Sequence, residues 1–452
     1  MTYDKAYFIG IGGIGMSAIA RYFKFKGLDV SGYDRTPSEL TAKLEEEGIR
    51  VHYTDDCSFI PKDKENTLVV YTPAIPAEMG ELQYVMSNGY RVVKRSMILG
   101  EITSGQTCLA VAGTHGKTTT STLVAHILTE SGEGCSAFLG GISRNYGTNM
   151  LMSHTPVTVV EADEFDRSFH QLHPAITAIT AMDADHLDIY GDLEHVQESF
   201  RIYAGQVSET IILKYGLPIS PDEVSARIFT YHFDREEADF HSTNLRLDDS
   251  GHYIYDLKYP GGLLTDIKVG ALGWVNVENS IAAAAICLCH GLDAQKVRHA
   301  IATFEGVKRR LEVHVNRPGL TYLDDYAHHP AELASAISSI RGIFPGRKIT
   351  GIFQPHLFTR TRDLADEFAE ALSGLDKLIL LDIYPAREEP IPGVTSDIIF
   401  RNVKCAEKVL IDKEQLMDYL GKEDIDVLVS FGAGNIDRYI APIAEMLNNR
   451  NA

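Results

Sequence analysis

Hydrophobic residues in this chain fall into short unbroken runs, and amphipathic stretches separate those runs. The first run, AYFIGIG, is typical of a buried strand, and the segment MSAIARYFKFKG that follows is typical of a helix ending at Gly27. DVSGYD and TLVVYTPAI predict further strands before about residue 104. Strands that alternate with helices in this way predict a Rossmann-like, doubly wound parallel sheet.

A second block with the same alternation begins near Gly105. TCLAVAG predicts a strand and KTTTSTLVAHILTESG a helix, while VTVVEADE and AITAITAMDADH predict later strands. Their continuous apolar character is typical of parallel strands that are covered on both faces. Between about residues 226 and 269 the pattern changes to short alternating runs such as GHYIYDLKY, which predict an antiparallel insertion. The block as a whole therefore predicts a mixed sheet.

A third block begins near Arg310 and contains the apolar runs TYLDDYA, KITGIFQP, KLILLDIY and DVLVSFGAG, with helical stretches between them. We therefore expect an α/β protein of three domains. These are a Rossmann-like domain at residues 1–104, a central domain at residues 105–309 and a second Rossmann-like domain at residues 310–452. A length of 452 residues suits about three domains.

The composition restricts the kinds of partner. The net charge is −20, and the sequence has no basic face of the kind that binds nucleic acid. No apolar run reaches the roughly 18 residues that cross a bilayer, and the N-terminus does not resemble a signal peptide. The six cysteines form no CxxC pair. We expect a cytoplasmic enzyme that binds small anionic molecules through backbone amides and a few cations, without nucleic acid and without membrane insertion.

The segment AGTHGKTTT, at residues 112–120, follows the first strand of the second block and opens its helix. Its GxxGKT pattern is a shortened Walker A loop, in which glycines let backbone N–H groups surround a phosphate. A lysine there supplies charge to the β- and γ-phosphate oxygens, and a threonine hydroxyl can bind Mg²⁺. The alternative is a tight strand–helix turn without a ligand. The predicted ATP-binding residues are Gly113, Thr114, His115, Gly116, Lys117, Thr118 and Thr119.

A second glycine loop, GIGGIG, follows the first strand of the chain, and Asp34 ends the next strand. The GxGxxG spacing is the fingerprint of dinucleotide binding, and on its own it is weak evidence for a nicotinamide oxidoreductase. That activity would leave the loop at residues 112–120 unexplained. A UDP-linked substrate also carries a diphosphate, so two such loops favour an ATP-dependent enzyme with a nucleotide-bearing substrate. A purely structural turn is the alternative. The candidate UDP-substrate residues are Gly10, Gly12, Gly13, Gly15 and Asp34.

Acidic residues follow two of the later strands, at the sheet edge where open α/β folds bind their ligands. The motif VVEADEFD makes Glu161 the first candidate for a Mg²⁺ ligand and Glu164 the second, against the alternative of a solvated acidic loop. In MDADHLDIYGD, His186 comes just after a strand and beside two aspartates. The hypothesis at that position is a second metal site.

Asparagine and arginine residues stand near the end of the second block. Asn276 and Asn279 open a helix, where asparagine commonly caps the N-terminus, although its amide can also bind an adenine edge. Arg309 and Arg310 follow at the boundary with the third block. They form either a solvated hinge or, in the functional interpretation, a source of positive charge for the γ-phosphate of ATP.

Histidines and arginines cluster after two strands of the third block. LDDYAHHPAE contains Asp325 and His328, and FQPHLFTRTRD contains His356, Arg360 and Arg362. Cationic groups at neighbouring strand ends would suit the carboxylate of an amino acid. The alternative is a basic surface loop, which applies to Arg362 more than to His356.

Several motifs occur in one order over almost the whole chain: GIGGIGMS, AGTHGKTTT, EADEFD, DHLDIYGD, RRLE, DDYAHHP and FQPHLFTRTRD. Together they closely resemble the motifs of the Mur ligase family, and most of all its alanine-adding branch. The resemblance implies a central P-loop ATPase domain between a UDP-substrate domain and an amino-acid domain. It also implies ATP-dependent joining of L-alanine to the lactyl carboxylate of UDP-N-acetylmuramate through an acyl phosphate, in peptidoglycan precursor synthesis.

The same resemblance implies roles for individual residues and a movement of the domains. Because the implied ATP contacts come from two blocks, domain closure is expected. The expected oligomeric state is a monomer or a weak homodimer. The implied catalytic residues are Lys117, His186 and Arg310, and the implied Mg²⁺ ligands are Thr118, Glu161 and His186. Further ATP contacts would be Asn276, Asn279, Arg310 and Asp325, and the alanine contacts would be His328, His356 and Arg360.

Two features of the sequence bear on the branch of the family. Some members carry arginine directly after the histidine of FQPH, where this chain has Leu357, and this leaves fewer cations for the alanine carboxylate. Sister ligases use a carbamylated lysine in the central domain. This chain has no lysine between His186 and Leu213, so we expect no carbamate. The nearest alternative is a ligase that joins UDP-N-acetylmuramate to a preformed tripeptide. Folate polyglutamylating ligases and a non-catalytic ATP-binding regulator are more distant alternatives.

Overall fold

The structure, a computed structural model, describes residues 3–184, 187–248, 250–386 and 388–450. It contains three sheets of five, ten and six strands, and helices connect most of the parallel strands. This is the three-domain α/β architecture that the alternation of apolar and amphipathic segments predicts. Within the described ranges, no helix is long and apolar enough to cross a membrane.

The N-terminal sheet is fully parallel. Its elements are β1 (Lys5–Ile9), α1 (Ile14–Phe25), β2 (Asp29–Tyr33), α2 (Glu39–Glu46), β3 (Arg50–His52), β4 (Thr67–Tyr71), α3 (Gly80–Ser87), β5 (Arg91–Lys94) and α4 (Arg95–Thr103). The strand order is β3-β2-β1-β4-β5, so the chain changes direction across the sheet after β3. The loop that follows β1 lies at this switch point, where open α/β sheets bind their ligands.

The central sheet is mixed, as predicted, because β8 runs antiparallel to β7 while most pairs are parallel. Its strands are β6 (Thr107–Ala112), β7 (Ser136–Phe138), β8 (Met150–Leu151), β9 (Val157–Ala162), β10 (Ile176–Ile179), β11 (Thr210–Lys214), β12 (Arg227–His232), β13 (Phe240–Leu247), β14 (Tyr253–Tyr259) and β15 (Gly262–Lys268). Its helices are α5 (Lys117–Glu130), α6 (Leu187–Tyr190), α7 (Leu193–Ala204), α8 (Val275–Cys289) and α9 (Ala294–Thr303). The strand order is β15-β14-β13-β12-β11-β10-β6-β9-β7-β8.

The prediction of an antiparallel insertion at residues 226–269 is wrong for the first strands of that segment. β12 runs parallel to β11 and also to β13. β14 and β15 are neighbours joined by only two residues, a connection that antiparallel strands can make and parallel strands cannot. Alternation of polar and apolar residues reports which face of a strand is buried, and it carries no information about the direction of the neighbouring strand.

The C-terminal sheet is parallel except for its first strand, which pairs antiparallel with the second. Its strands are β16 (Glu312–Arg317), β17 (Leu320–Asp325), β18 (Ile349–Phe353), β19 (Lys377–Leu380), β20 (Glu407–Leu410) and β21 (Val427–Phe431), in the order β16-β17-β21-β18-β19-β20. Its helices are α10 (Pro330–Ile343), α11 (Phe358–Asp363), α12 (Ala365–Leu372), α13 (Asp397–Phe400), α14 (Leu416–Leu420) and α15 (Ile440–Asn449). Successive residues on a strand face opposite sides, so Leu323 and Tyr322 belong to separate cores on the two faces of this sheet.

The described chain forms two compact units. The larger comprises Met1–Leu245, Tyr255–Lys268 and Glu278–Glu305, and the smaller comprises Arg246–Ile254, Val269–Val277 and Gly306–Ala452. In the larger unit one hydrophobic core extends from Phe8 on β1 to Phe200 on α7, so the N-terminal and central sheets share buried side chains. The smaller unit contains the C-terminal sheet together with two segments from earlier in the chain.

Candidate active site

The loop between β6 and α5 has the shape of a phosphate cradle. Gly113 has φ +136°, and a Cβ at that position would lie 2.1 Å from Oγ1 of Thr180 and 2.8 Å from the amide nitrogen of Ala181, so only glycine fits. Gly116, with φ +80°, precedes the first residue of α5. In the part of the chain that the structure describes, no side chain caps α5 and no acidic residue lies in its first turn. The N-terminal amides of this helix therefore suit an anion.

Lys117, the first residue of α5, is held inside this loop. Its Nζ donates to the carbonyl of Gly113 at 2.7 Å and to both carboxylate oxygens of Glu164 at 2.7 and 2.8 Å. Burial opposes the charge on Lys117, but the carboxylates of Glu164, Asp163 and Glu161 outweigh it and raise the pKa of the ammonium group. Burial also raises the pKa of Glu164. The lysine is therefore fully charged at neutral pH, as a phosphate ligand must be.

The acidic residues at the end of β9 differ in their surroundings. Glu161 accepts a hydrogen bond from the amide of Gly140 at 3.1 Å and is half-buried. Glu164, the second-choice Mg²⁺ ligand from the sequence, is buried against Lys117 instead. The predicted ligand His186 lies outside the described residues. Among the side chains that are described, no three His, Cys, Asp or Glu residues converge on one point. The half-buried Glu161, whose charge acts on Lys117, is the kind of carboxylate through which proteins hold Mg²⁺ together with the phosphates of a substrate.

The remaining predicted ATP residues of the larger unit lie around the same loop. The amide of Thr114 donates to the carbonyl of Ala181 at 3.1 Å, and Nε2 of His115 lies 3.3 Å from a carboxylate oxygen of Asp183. Thr118 is half-buried and Thr119 is buried in the first turn of α5. Asn279 on α8 contacts the next residue of that turn.

Asn279 and Asn276 are separated by one helical turn but differ in their surroundings. Oδ1 of Asn279 accepts from the hydroxyl of Thr120 at 3.3 Å, which brings this amide to the first turn of α5. Asn276 belongs to the smaller unit, where its amide donates to the carbonyl of Leu272 at 2.6 Å. Asn279 therefore lies beside the start of α5, whereas Asn276 bonds to the backbone that precedes its own helix.

The glycine loop at residues 10–15 has the geometry of a second anion site. The amides of Gly10 and Ile11 donate to the carbonyl of Tyr33 at 2.8 and 2.9 Å, which fixes the loop to the end of β2. Gly13 precedes the first residue of α1, and among the described residues this helix also has neither a side-chain cap nor an acidic first turn. Asp34 accepts the amide of Gly12 at 2.7 Å, so its carboxylate shapes the loop.

The two arginines at the boundary of the third block have different surroundings. Arg309 is an anchor: Nε donates to the buried carboxylate of Asp324 at 2.9 Å and Nη2 to the carbonyl of Gly432 at 2.7 Å. Arg310 lies over the ring of Tyr326 at 5.5 Å and 3.6 Å from a carboxylate oxygen of Glu332.

Arg310 is also flanked by strained backbone. Arg309 and Leu311 have φ +62° and +46°, values that cost energy in residues with a Cβ and persist where the surroundings enforce them. The carbonyl of Arg309 accepts the amide of Tyr326 at 2.6 Å, and the amide of Leu311 donates to Asp325 at 2.8 Å. Of the two arginines, Arg310 is the one that this geometry presents for function.

Asp325, a predicted ATP contact, ends β17 in a fully buried position. Its carboxylate accepts the amides of Leu311 and Ala327, both at 2.8 Å. Burial raises the pKa of Asp325 to about 6, against the opposing effects of Arg310 and these two amides. Its charge therefore changes at a pH much closer to neutrality than that of an ordinary aspartate.

We expect the Asp325→Asn variant to gain stability relative to the parent as the pH rises from about 4 to about 6. The unfolded carboxyl ionises near its reference pKa of 3.8 and the folded one near 6. Between these values only the unfolded state has lost its proton, so the parent loses stability as the pH rises, and the asparagine variant does not. Thermal unfolding of both proteins at pH 4, 5, 6 and 7 measures the difference. A difference that stays constant or shrinks over this range would contradict the assignment.

The predicted alanine-side residues are brought together at the ends of β17 and β18. The rings of His328 and His356 have centroids 6.0 Å apart, and His356 stacks on Tyr384 at 5.7 Å. Burial lowers the pKa of His328, and the positive charge of Arg360 acts in the same direction. Arg362, by contrast, is exposed and pairs with its neighbour Asp363, as the surface-loop alternative predicts.

Leu357, the departure from the family pattern, has φ +73° and precedes α11. This conformation is unfavourable for leucine, and three hydrogen bonds to a later loop hold the backbone in place. The amide of Leu357 donates to the carbonyl of Tyr384 at 3.0 Å, and Glu388 accepts the next two amides, those of Phe358 at 2.6 Å and Thr359 at 3.1 Å. Glu388 therefore fixes the start of the helix that carries Arg360. This residue was not predictable from the sequence, because thirty positions and no shared periodicity separate it from the helix it caps.

We expect Glu388→Ala to raise the KM for the amino acid predicted to bind at His356 and Arg360 by roughly five- to tenfold, because loss of a helix cap costs about 1 kcal/mol and loosens the segment that carries both residues. The kcat and the KM for ATP should change less than twofold. Steady-state kinetics with each substrate varied in turn measures the effect, and Glu389→Ala, at the exposed neighbouring position, is the matched control. Equal changes in both variants would remove the specific role of Glu388.

Comparison with known proteins assigns the fold and these loops to one family. Three consecutive domain families match the chain: the Mur ligase family catalytic domain at residues 5–107, the Mur ligase middle domain at residues 111–287, and the Mur ligase glutamate ligase domain at residues 309–434. The chain therefore belongs to the Mur ligase family.

The full-length relatives carry more specific names. A protein of Porphyromonas gingivalis strain W83 named UDP-N-acetylmuramate–L-alanine ligase is 50% identical over 98% of this chain and 99% of its own length. One of the same name from Phocaeicola vulgatus is 48% identical over 99% of each chain. The crystal structure of UDP-N-acetylmuramate–alanine ligase from Thermotoga maritima superposes with a TM-score of 0.85 at 25% identity, over 99% of this chain and 100% of that one. A murein peptide ligase from Psychrobacter arcticus has the same fold, with a TM-score of 0.72 at 20% identity over 99% of each chain.

Proposed function

We propose that this chain is an ATP-dependent ligase that joins L-alanine to the lactyl carboxylate of UDP-N-acetylmuramate, a step of peptidoglycan precursor synthesis. The observation that carries the proposal is the cradle around Gly113 and Lys117, in which a charged, half-buried lysine is held at the start of a helix where a polyphosphate could bind. Relatives of nearly equal length, at about half identity, bear the name of this activity.

The reaction begins with two anions that repel each other. A lactyl carboxylate oxygen attacks the γ-phosphorus of ATP, the bond from that phosphorus to the β–γ bridging oxygen breaks, and ADP leaves. Negative charge accumulates on the phosphate oxygens, and a preorganised cation stabilises it more than it stabilises the separate reactants. Lys117 would provide that charge, and Arg310 would add to it.

The second step makes the amide. The amine of L-alanine attacks the acyl carbon, the C–N bond forms, inorganic phosphate leaves, and the nitrogen gives up a proton. His328, His356 and Arg360 would bind the alanine carboxylate, and the cluster that they form at the ends of β17 and β18 supports this role. Leu357 offers no charge here, so Arg360 would provide the main electrostatic contact.

The remaining roles follow the same assignment. A first Mg²⁺ would be held by Thr118 and Glu161, and His186 would help to hold a second; when bound, these ions supply positive charge to the phosphate oxygens. Asn276, Asn279 and Asp325 would contact ATP together with the loop from Gly113 to Thr119. The UDP diphosphate would bind at Gly10, Gly12, Gly13 and Gly15, in a loop that Asp34 holds in shape. The proposed domains are residues 1–104 for the UDP substrate, 105–309 for ATP and 310–452 for the amino acid, in a monomer or weak homodimer.

Phosphate release tests the proposal. Purified protein is incubated with ATP, Mg²⁺ and UDP-N-acetylmuramate, and L-alanine, glycine, L-serine or the tripeptide is added in turn. We expect release that depends on UDP-N-acetylmuramate and is greatest with L-alanine. Release only with the tripeptide would select the recycling ligase, and release with none of the four would reject a ligase of this kind.

An isotope experiment tests the acyl phosphate directly. When the lactyl carboxylate of the substrate carries oxygen-18, one labelled oxygen must leave with the phosphate in the second step. Mass spectrometry of the released phosphate should therefore find the label. Unlabelled phosphate under turnover conditions would rule out this route.

A further inference from the structure

Arg95, the first residue of α4, contacts the glycine loop that is proposed to bind UDP and also Asp163, the neighbour of the Glu164 that holds Lys117. A Cβ on Gly15 would approach its Nη1 to 2.9 Å and its Cδ to 3.3 Å, so the guanidinium group packs directly against the glycine loop. Its Nη2 donates to a carboxylate oxygen of Asp163 at 3.2 Å. About a fifth of the side chain is exposed, which leaves the group accessible to a ligand. No sequence motif indicates a role for Arg95.

The glycine-loop side of Arg95 is suited to a diphosphate. The N-terminus of α1 supplies backbone N–H groups and a partial positive charge, but a diphosphate ester carries about two negative charges. A guanidinium group has five N–H donors in a planar fork that matches phosphate oxygens, and the bond to Asp163 uses one of them. Arg95 therefore has the position and the chemistry to complete the site at Gly15.

The other side of Arg95 leads to the ATP loop. Asp163 directly precedes Glu164, which holds Lys117, and the charge on Asp163 helps to raise the pKa of that lysine. Asp163 is itself fixed, since its second carboxylate oxygen accepts the amide of Phe165 at 3.1 Å. The carboxylate of Asp163 thus bonds to Arg95 and acts electrostatically on Lys117.

We propose that Arg95 binds the diphosphate of the UDP substrate and that Asp163 competes with this diphosphate for the guanidinium group. The inference rests on the proposed function, because it takes the glycine loop as the UDP site. When the substrate binds, Arg95 turns part of its hydrogen bonding from Asp163 to phosphate. The carboxylates beside Lys117 then carry more uncompensated negative charge, which favours Mg²⁺ and the ammonium group of Lys117. By thermodynamic linkage, Mg²⁺–ATP must in turn favour UDP-substrate binding.

Calorimetric titration of the full chain without ATP tests the proposal, with UDP-N-acetylmuramate, UDP and uridine as ligands. We expect Arg95→Met to weaken both diphosphate ligands by roughly tenfold or more, the usual size of a lost charge-assisted hydrogen bond, and to leave uridine affinity unchanged. The affinity of Arg95→Lys for both diphosphate ligands should fall between that of Arg95→Met and that of the parent. Lys94→Met is the matched control, because the neighbouring cation pairs with Asp166 at 3.3 Å and should leave UDP affinity unchanged.

The Asp163→Asn variant separates competition from a merely structural bridge. Competition predicts that UDP binds about threefold more tightly to Asp163→Asn, and that this gain disappears when Arg95 is also methionine. A structural bridge predicts weaker or unchanged UDP binding in Asp163→Asn, and either result overturns the proposal. Equal weakening of uridine and UDP by Arg95→Met, or by Lys94→Met to the same extent, overturns it as well.

The outcomes for Arg95 and for the ligase activity are distinguishable. If the UDP affinities of the variants change as expected but the parent releases no phosphate, the proposed ligase activity is refuted and the role of Arg95 is retained. If the parent releases phosphate but Arg95→Met binds UDP as tightly as the parent does, only the role of Arg95 is refuted. Failure of the parent protein to bind UDP would overturn both. Thermal unfolding of each variant verifies that the protein titrated is folded.

Discussion

Lys117→Ala is expected to reduce phosphate release by about 10³-fold or more and to leave UDP-N-acetylmuramate affinity within about twofold of the parent. Removal of one preorganised charge from a reaction that gathers negative charge costs on the order of 10²–10³ in kcat, and here the lysine also organises the loop through the carbonyl of Gly113. The glycine loop that is proposed to bind UDP lies at the end of a different sheet, so the affinity for UDP-N-acetylmuramate should persist. Coupled-assay kinetics and calorimetric titration measure the two quantities.

A companion variant separates catalysis from stability in this experiment. Lys117→Ala leaves Glu164 buried without its ammonium partner, and such a group destabilises the fold or takes up a proton. The double variant Lys117→Ala/Glu164→Gln should recover most of the lost thermal stability and none of the activity. Turnover in Lys117→Ala would contradict the P-loop assignment, and a large loss of UDP-substrate affinity would contradict the assignment of the glycine loop.

Arg309→Ala is expected to destabilise the C-terminal sheet by about 3–5 kcal/mol, the usual cost of removing one partner of a buried ion pair. Asp324 is fully buried and, among the described residues, would keep its bond from the hydroxyl of Ser430, at 2.6 Å. The carbonyl of Gly432 would lose its donor as well. Burial and Asp324 act in opposite directions on the pKa of Arg309, and the net effect raises it, so the charge is retained inside the fold. Differential scanning calorimetry measures the lowered transition.

Arg310→Ala is the matched comparison at the adjacent position. Its ion pair with Glu332 is 3.6 Å long and partly exposed, so the loss of stability should stay below about 1 kcal/mol. Phosphate release by this variant should fall by about 10³-fold if Arg310 has its proposed role of stabilising the transferring phosphate. An inactive but stable Arg309→Ala protein together with an active Arg310→Ala protein would reverse the roles assigned to the two arginines.

The positions of the loops were predictable from sequence, because they follow from the pattern itself. An apolar run of four to six residues that ends in a glycine, such as the one before Gly113, is a buried parallel strand with a loop at its carboxyl end. For the same reason Glu161, His328 and His356 were predictable as residues at strand ends. The family resemblance then gave those residues roles that spacing alone leaves open.

The partners of those residues were not predictable, because each lies far away along the chain. Glu164 was expected as a metal ligand, and only the fold places it on Lys117, forty-seven positions away. Arg95 and Asp163 are sixty-eight positions apart and join two different sheets. The direction of β12 was also missed, since polar alternation is the same in parallel and antiparallel neighbours. Pairwise contacts of this kind depend on tertiary packing, which no local pattern encodes.

The smaller compact unit is discontinuous along the chain, and this affects the order in which it can be completed during translation. Its segments Arg246–Ile254 and Val269–Val277 leave the ribosome before residue 306, yet Gly273 packs beside Leu311 and Gly251 beside Ile343. At roughly 5–20 residues per second, these segments wait for seconds before their partners exist. A nascent chain stalled before the C-terminal sheet is made would therefore expose them to proteases and chaperones.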